Sequence, residues 1–201
     1  GLPDGLELKV LYDRSELVNK TLGTIEHNLL FGASLVIIVL LLLLGNIRAA
    51  VITAFVIPLS LLITFIAMKY FGISGNLLSL GALDFGIIVD GAVIVLDHCV
   101  RKIHEAVKSR NRSLTKEEVQ STVYEATVEI RTAAGFGELI VVVVFLPVLA
   151  LAGIEGKMFK PMAATFAIAV FSALMLSFST VPALASLWLG GNAKEKDPWL
   201  M

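Results

Sequence analysis

Five stretches of about 20 residues are so poor in charge that water is the wrong solvent for them, and nothing else in the chain constrains the fold as much. They cover 29–45, 49–70, 77–99, 132–152 and 162–189. A bilayer core about 30 Å thick is crossed by roughly 20 apolar helical residues. Composition points the same way: 57% of residues are hydrophobic, 16% are charged and the mean hydropathy is +0.86. A soluble domain carries about 45–50% apolar and about 25% charged residues. Pro58, Pro147 and Pro182 fall inside these stretches, which is tolerable where neighbouring helices or water satisfy the freed carbonyls.

The remaining segments set topology. Residues 1–28 are water-compatible: Leu6, Leu8 and Val10 alternate with Glu7 and Lys9, the period of a half-buried strand. Asp13 or Ser15 can then cap a helix running into the first apolar stretch. One strand is not stable alone, so 1–28 is predicted to be the remnant of a larger soluble domain. In the long polar segment 100–131, Thr115 and Glu118 match a capping box. Val119, Val123, Ala126 and Ile130 then repeat at helical spacing, which predicts an interfacial helix lying on the headgroups. Ten basic residues fall in the loops at 46–48, 98–131 and the tail 190–201, against three (Lys69, Lys157, Lys160) in the loops on the other side. Positive loops stay cytoplasmic, which puts 1–28, 71–76 and 153–161 in the periplasm. The expected fold is an all-α polytopic membrane protein in a bacterial inner membrane. It has five transmembrane helices, an interfacial cytoplasmic helix and a short periplasmic strand/helix remnant. A net charge of −1 gives no field for nucleic acid. The single cysteine, Cys99, rules out an internal disulfide. No nucleophile–base arrangement suggests an enzyme, and no cofactor is expected. The chain starts at Gly1 with no signal-like segment, which reads as a piece of something longer.

The third stretch holds the chemistry. "LGALDFGIIVDGAVIVLDHC" (80–99) is apolar enough for lipid yet contains Asp84, Asp90 and Asp97. A charge at the bilayer centre costs at least about 2.5–3.5 kcal/mol on insertion scales, so such a residue usually faces the bundle interior and works there. At about 100° per residue, Asp90 and Asp97 point within about 20° of each other, two turns apart, and Asp84 lies about 120° round from Asp90. Asp97 has Arg101 one turn on as an available partner; Asp84 and Asp90 have none nearby in sequence. Gly81, Ala82, Gly86, Gly91 and Ala92 would let another helix approach and bury the carboxyl groups in protein. Burial and neighbouring cations push a carboxyl pKa in opposite directions, so a balanced group can exchange protons at cellular pH. The competing reading is neutral interhelical glue. "DFG" at 84–86 lacks the companion motifs of a kinase and lies in an apolar helix. His98, Cys99 and His104 lie at the cytoplasmic edge without the spacing of a tetrahedral site.

"LGALDFGIIVDGAVIVLD", "GFGELIVVVVFLPVLALAGIEGKMFKPMA" and the weaker "VLYDRSELV" together resemble the resistance–nodulation–division transporters, specifically their heavy-metal efflux branch of the cobalt–zinc–cadmium type. The resemblance implies the second to sixth helices of a twelve-helix pump. Such a pump is a homotrimer that works with a periplasmic adaptor and an outer-membrane channel and exchanges protons for metal cations. Asp84 and Asp90 then fall on the proton-relay positions, Asp97 on an acidic position that is a glutamate in the family, and Glu138 on the "GE" of the fifth helix, as a structural group or part of the proton path. The first helix, the large periplasmic insertion and the second half, which faces the aspartates, are not in the 201 residues. The copper/silver branch places methionines along its fourth helix, whereas 77–99 has none. Soft monovalent ions favour sulfur, while zinc, cobalt and nickel accept carboxylate and imidazole. A divalent cation is therefore the expected cargo, with metal ligands unassigned. The five methionines, Met68, Met158, Met162, Met175 and Met201, read as packing. An exporter of organic compounds and a non-transporting scaffold are the alternatives.

Overall fold

The computed structural model describes residues 14–44, 46–73 and 85–189. Within them the chain is helical throughout: α1 Arg14–Leu44, α2 Ile47–Phe71, α3 Phe85–Arg110, α4 Lys116–Val144, the single turn α5 Leu146–Leu149, and α6 Gly153–Trp188. The expected strand at 6–10, Asp84 and the tail lie outside the described residues.

The ends of α2 follow from chemistry legible in the sequence. Asn46 accepts hydrogen bonds from the Arg48 and Ala49 amides at 2.9 and 3.3 Å, satisfying two donors that a helix start leaves free. At the other end Gly72 takes φ 65° and donates to the Lys69 carbonyl at 3.4 Å, a left-handed stop that glycine reaches without strain. Helices α2, α3, α4 and α6 share one core, with Ala49, Ala50, Ala92 and Ala185 fully buried among Ile52, Val95, Leu96 and Val123. Small residues let helix axes approach where lipid offers no hydrophobic drive. The buried hydroxyls among these helices are satisfied within their own helices. Thr53 donates to the Ala49 carbonyl at 3.0 Å, Thr64 to Ser60 at 2.6 Å, Thr165 to Pro161 at 2.7 Å and Ser177 to Ala173 at 2.8 Å.

Among the described residues, three helical stretches are long and apolar enough to cross a membrane: Ile47–Phe71, Lys116–Leu149 and Gly153–Trp188. Leu30–Val39 is a shorter apolar stretch within α1. Lipid-type surface is plain on α4, where Phe136, Ile140, Val143 and Val144 are exposed. The Arg48 guanidinium donates to the Trp188 carbonyl at 3.4 Å, so the start of α2 and the end of α6 lie at one end of the bundle. Both belong to the basic side identified from loop charge.

Four expectations change. The amphipathic stretch from Lys116 is no separate interfacial helix: it is the first half of α4 and runs unbroken into the apolar half. Val119, Val123 and Ala126 bury against Ile103 and Val107 of an α3 that extends to Arg110, so protein rather than headgroups covers the apolar stripe. The loop 153–161 is helical, because α6 begins at Gly153, whose φ of 71° makes the turn. The fourth apolar stretch breaks at Phe145. Pro147 sits in the first turn of α5, where its missing N–H costs nothing, and Phe145 packs on Phe166 with ring centroids 4.1 Å apart. Of the methionines, Met68 is core and Met162 partly buried, which fits packing, whereas Met158 and Met175 are about half exposed.

The turn joining α3 to α4 is tightly tied. Asn111 takes φ 49°, a conformation asparagine tolerates better than most residues. Thr115 accepts from the Glu118 amide at 3.4 Å, and Glu118 accepts from the Thr115 amide at 2.9 Å, the reciprocal pair expected from sequence. Arg112 donates to both Glu118 oxygens at 2.6 and 3.0 Å, and Arg110 joins them. Arg112, the Thr115 amide and Arg110 together hold the Glu118 carboxyl down at about 2. A depressed folded-state pKa stabilises above the ordinary value of 4.5, and that contribution fades as pH falls from there through about 2. Thr115→Ala should cost about 1 kcal/mol, roughly a fivefold rise in opening of the α3–α4 turn. Hydrogen exchange at residues 116–119 measures it.

Candidate functional site

The site is built on α3, where apolar residues at helical spacing turn one face into the core and leave the acids on the other. Ile88, Val89, Ala92, Val95, Leu96 and Cys99 are all buried. Asp90 is exposed and Asp97 half-buried. Adjacent residues diverge by about 100°, so turning Gly91 and Ala92 inward places Asp90 outward. Within this chain, then, the small residues do not cover Asp90: what lies against Gly91 is Glu138. A Cβ built at Gly91 would lie 1.3 Å from Glu138 Oε1 and 2.6 Å from its carboxyl carbon, so any larger residue would displace the carboxyl from this seat. Glu138 is 8% exposed, and neither carboxyl oxygen has a hydrogen-bond partner among the described residues.

Toward the basic end the same two helices carry further polar groups. Cys99 sits 3.9 Å from the Val123 carbonyl and 3.7 Å from the Thr127 hydroxyl, which itself donates to Val123 at 2.7 Å. The thiol is thus spent on helix packing. Lys102 pairs with Glu129 at 2.8 Å, and His98 Nε2 lies 3.4 Å from the same carboxylate without hydrogen-bond alignment. Lys102 first, then His98, hold the Glu129 carboxyl below its ordinary value. Asp97 makes no ion pair with Arg101, which turns to the exposed side. Among the described residues no three His, Cys, Asp or Glu side chains converge as a metal site.

Sequence reasoning singled out Glu138 but not its seat. The signal available was the pair of small residues after Asp90, of which Gly91 receives the Glu138 carboxyl. Asp84 lies outside the described residues, so its position relative to Asp90 rests on helical spacing alone.

The model of the AcrB/AcrD/AcrF family matches residues 1–201. The chain is 49% identical over 200 residues to the cobalt-zinc-cadmium resistance protein CzcA of Cupriavidus metallidurans, covering all of this chain and 19% of that protein. It is 45% identical over 196 residues to the nickel and cobalt resistance protein CnrA of the same organism, covering 98% of this chain and 18% of that one. A crystal structure of a heavy metal efflux pump superposes with a TM-score of 0.78 at 39% identity, over 94% of this chain and 18% of that one. The chain thus spans about a fifth of the length of the relatives it matches. On sequence across its whole length and on backbone geometry, it belongs to the AcrB/AcrD/AcrF family of resistance–nodulation–division transporters, where it stands with the heavy-metal efflux members.

Proposed function

We propose that this chain is the relay-bearing part of a proton-driven pump that exports divalent heavy-metal cations of the zinc, cobalt, cadmium and nickel class. The observation that carries the reading is Asp90: a carboxyl in the second turn of α3, among buried apolar residues, held on a face that this chain's own helices leave open. A charged residue at that depth is expensive and is kept for a task. In this reading the open face meets the second half of the transporter, five helices of this chain cross a bacterial inner membrane, and the assembly is a homotrimer with a periplasmic adaptor and an outer-membrane channel. Asp84 and Asp90 take up protons from the periplasm, and Asp97 lies on the way to the cytoplasm. Protonation removes the charge on α3 and changes which helix packing is favoured, and periplasmic domains convert that motion into metal capture and release. The driving force is adequate, since one charge crossing the membrane gains about 2.3 kcal/mol per 100 mV. The names of CzcA and CnrA support the cargo class, as does the absence of methionine from 77–99.

The test uses the full-length pump in proteoliposomes under a pH gradient. Zinc, cobalt, cadmium or nickel is expected to accelerate proton flux, and sodium or an organic dye to leave it at the leak rate. Flux that responds to an organic compound and to none of these metals would reassign the pump to organic export.

A further inference from the structure

Glu138 stands apart from the buried hydroxyls of the spans; the other buried polar atom without a hydrogen bond among the described residues, His98 Nε2, at least faces the Glu129 carboxylate at 3.4 Å. The buried hydroxyls return a hydrogen bond to their own helices, whereas both Glu138 oxygens are buried without any such bond among the described residues. A carboxyl serving as glue between helices spends its oxygens on a partner. This one is set on the bare Cα of Gly91, the residue after Asp90. An unpaired charge there would carry a full desolvation cost, which a proton removes.

The charged surroundings are sparse. Helix α3 contributes Asp90 and, two turns on, Asp97. Helix α4 has Arg131 and Glu129 only about two turns earlier. Helix α6 has no charged residue after Lys160, and α2 carries Arg48 and Lys69 only at its two ends. Among the described residues no cation is placed to neutralise Glu138, and proton exchange is then the means by which its charge can change.

We propose that Glu138 is a proton-binding group of the pump in its own right, seated in the Gly91 notch so that it accepts a proton from Asp90 and carries it on the α4 side of α3. This rests on the relay reading of Asp90. In the transfer the O–H bond on the Asp90 carboxyl breaks and one forms on a Glu138 oxygen, water carrying the proton between them. No other bond changes, and the negative charge passes from Glu138 to Asp90. Return of the proton to the cytoplasmic side resets Glu138.

The full-length pump in proteoliposomes tests this through four single variants and one double variant. Glu138→Gln keeps size and packing but cannot exchange a proton. It is expected to remove one carboxyl band from the acid-minus-alkaline infrared difference spectrum, a band that Asp90→Asn retains. It should also remove one step from the pH profile of metal-driven flux, with trimer and unfolding temperature unchanged. Gly91→Ala pushes the carboxyl from its notch and should reproduce that pH profile, and the double variant should be no worse than either single one. Glu138→Asp should recover the missing step. A Glu138→Gln protein with the wild-type spectrum and pH profile overturns the proposal, as does a loss of stability with an unchanged profile, which marks a structural role. If Asp90→Asn keeps full flux, the relay reading itself fails, whatever Glu138→Gln does.

Discussion

Asp90→Asn in the complete pump is expected to reduce metal-driven proton flux to the rate of protein-free vesicles while leaving the trimer and its thermal unfolding unchanged. Asparagine matches aspartate in shape and keeps a polar group on the open face of α3, but it neither binds nor releases a proton between pH 5 and 8. Asp90 faces away from the core of this chain, and asparagine fills the same volume while removing a charge that would otherwise be desolvated against the second half. A folding defect is therefore not the expected cause of lost flux. Asp97→Asn should cost less, because Asp97 lies toward the basic, water-accessible end, where water can stand in for a lost carrier. Retention of metal resistance by cells carrying Asp90→Asn would make the aspartates neutral scaffold. So would infrared spectra in which these acids stay protonated through turnover.

Much of this architecture can be read from residues, and the parts that cannot share one cause. Helix α2 was expected over 49–70 and is found at Ile47–Phe71, because Asn46 and Gly72 are local signals that act through their own backbone neighbourhood. The capping box at Thr115 and Glu118 is equally local, and it forms as expected. What covers an apolar stripe is not local. Val119, Val123 and Ala126 fit headgroups as well as they fit a partner helix, and only the extension of α3 to Arg110 decides between them. Charge density suggested that 153–161 is a loop, yet α6 starts at Gly153, because a polar stretch outside the bilayer can still propagate a helix whose interior is anchored in the core. The same limit applies to the site. Helical spacing places Asp90 and Asp97 on one side of α3, but the identity of the group received by Gly91 depends on the register of α4 against α3, which no period within α3 encodes.

The glycines divide by what surrounds them, and this gives the second large effect. Gly156→Val is expected to destabilise the protein by about 1–3 kcal/mol, the usual cost of forcing extra atoms into a packed site. A Cβ at Gly156 would stand 2.3 Å from the Leu151 carbonyl oxygen and 2.9 Å from its carbon. These are backbone atoms held in the turn between α5 and α6, so they cannot rotate aside as the Glu138 carboxyl can from Gly91. Relief requires the turn to open, which strains the Gly156 amide bond to the Ala152 carbonyl at 3.3 Å and pulls on the Phe145–Phe166 contact that anchors the break in α4. Gly137 is the control. Nothing lies within 4 Å of a Cβ there, so Gly137→Ala should stabilise α4 by about 0.5–1 kcal/mol through the lost backbone freedom of glycine. Thermal unfolding of the purified full-length pump in detergent should therefore move in opposite directions for the two variants. A Gly156→Val protein that unfolds with the wild type would mean the turn yields freely and the close approach at Leu151 does not constrain it.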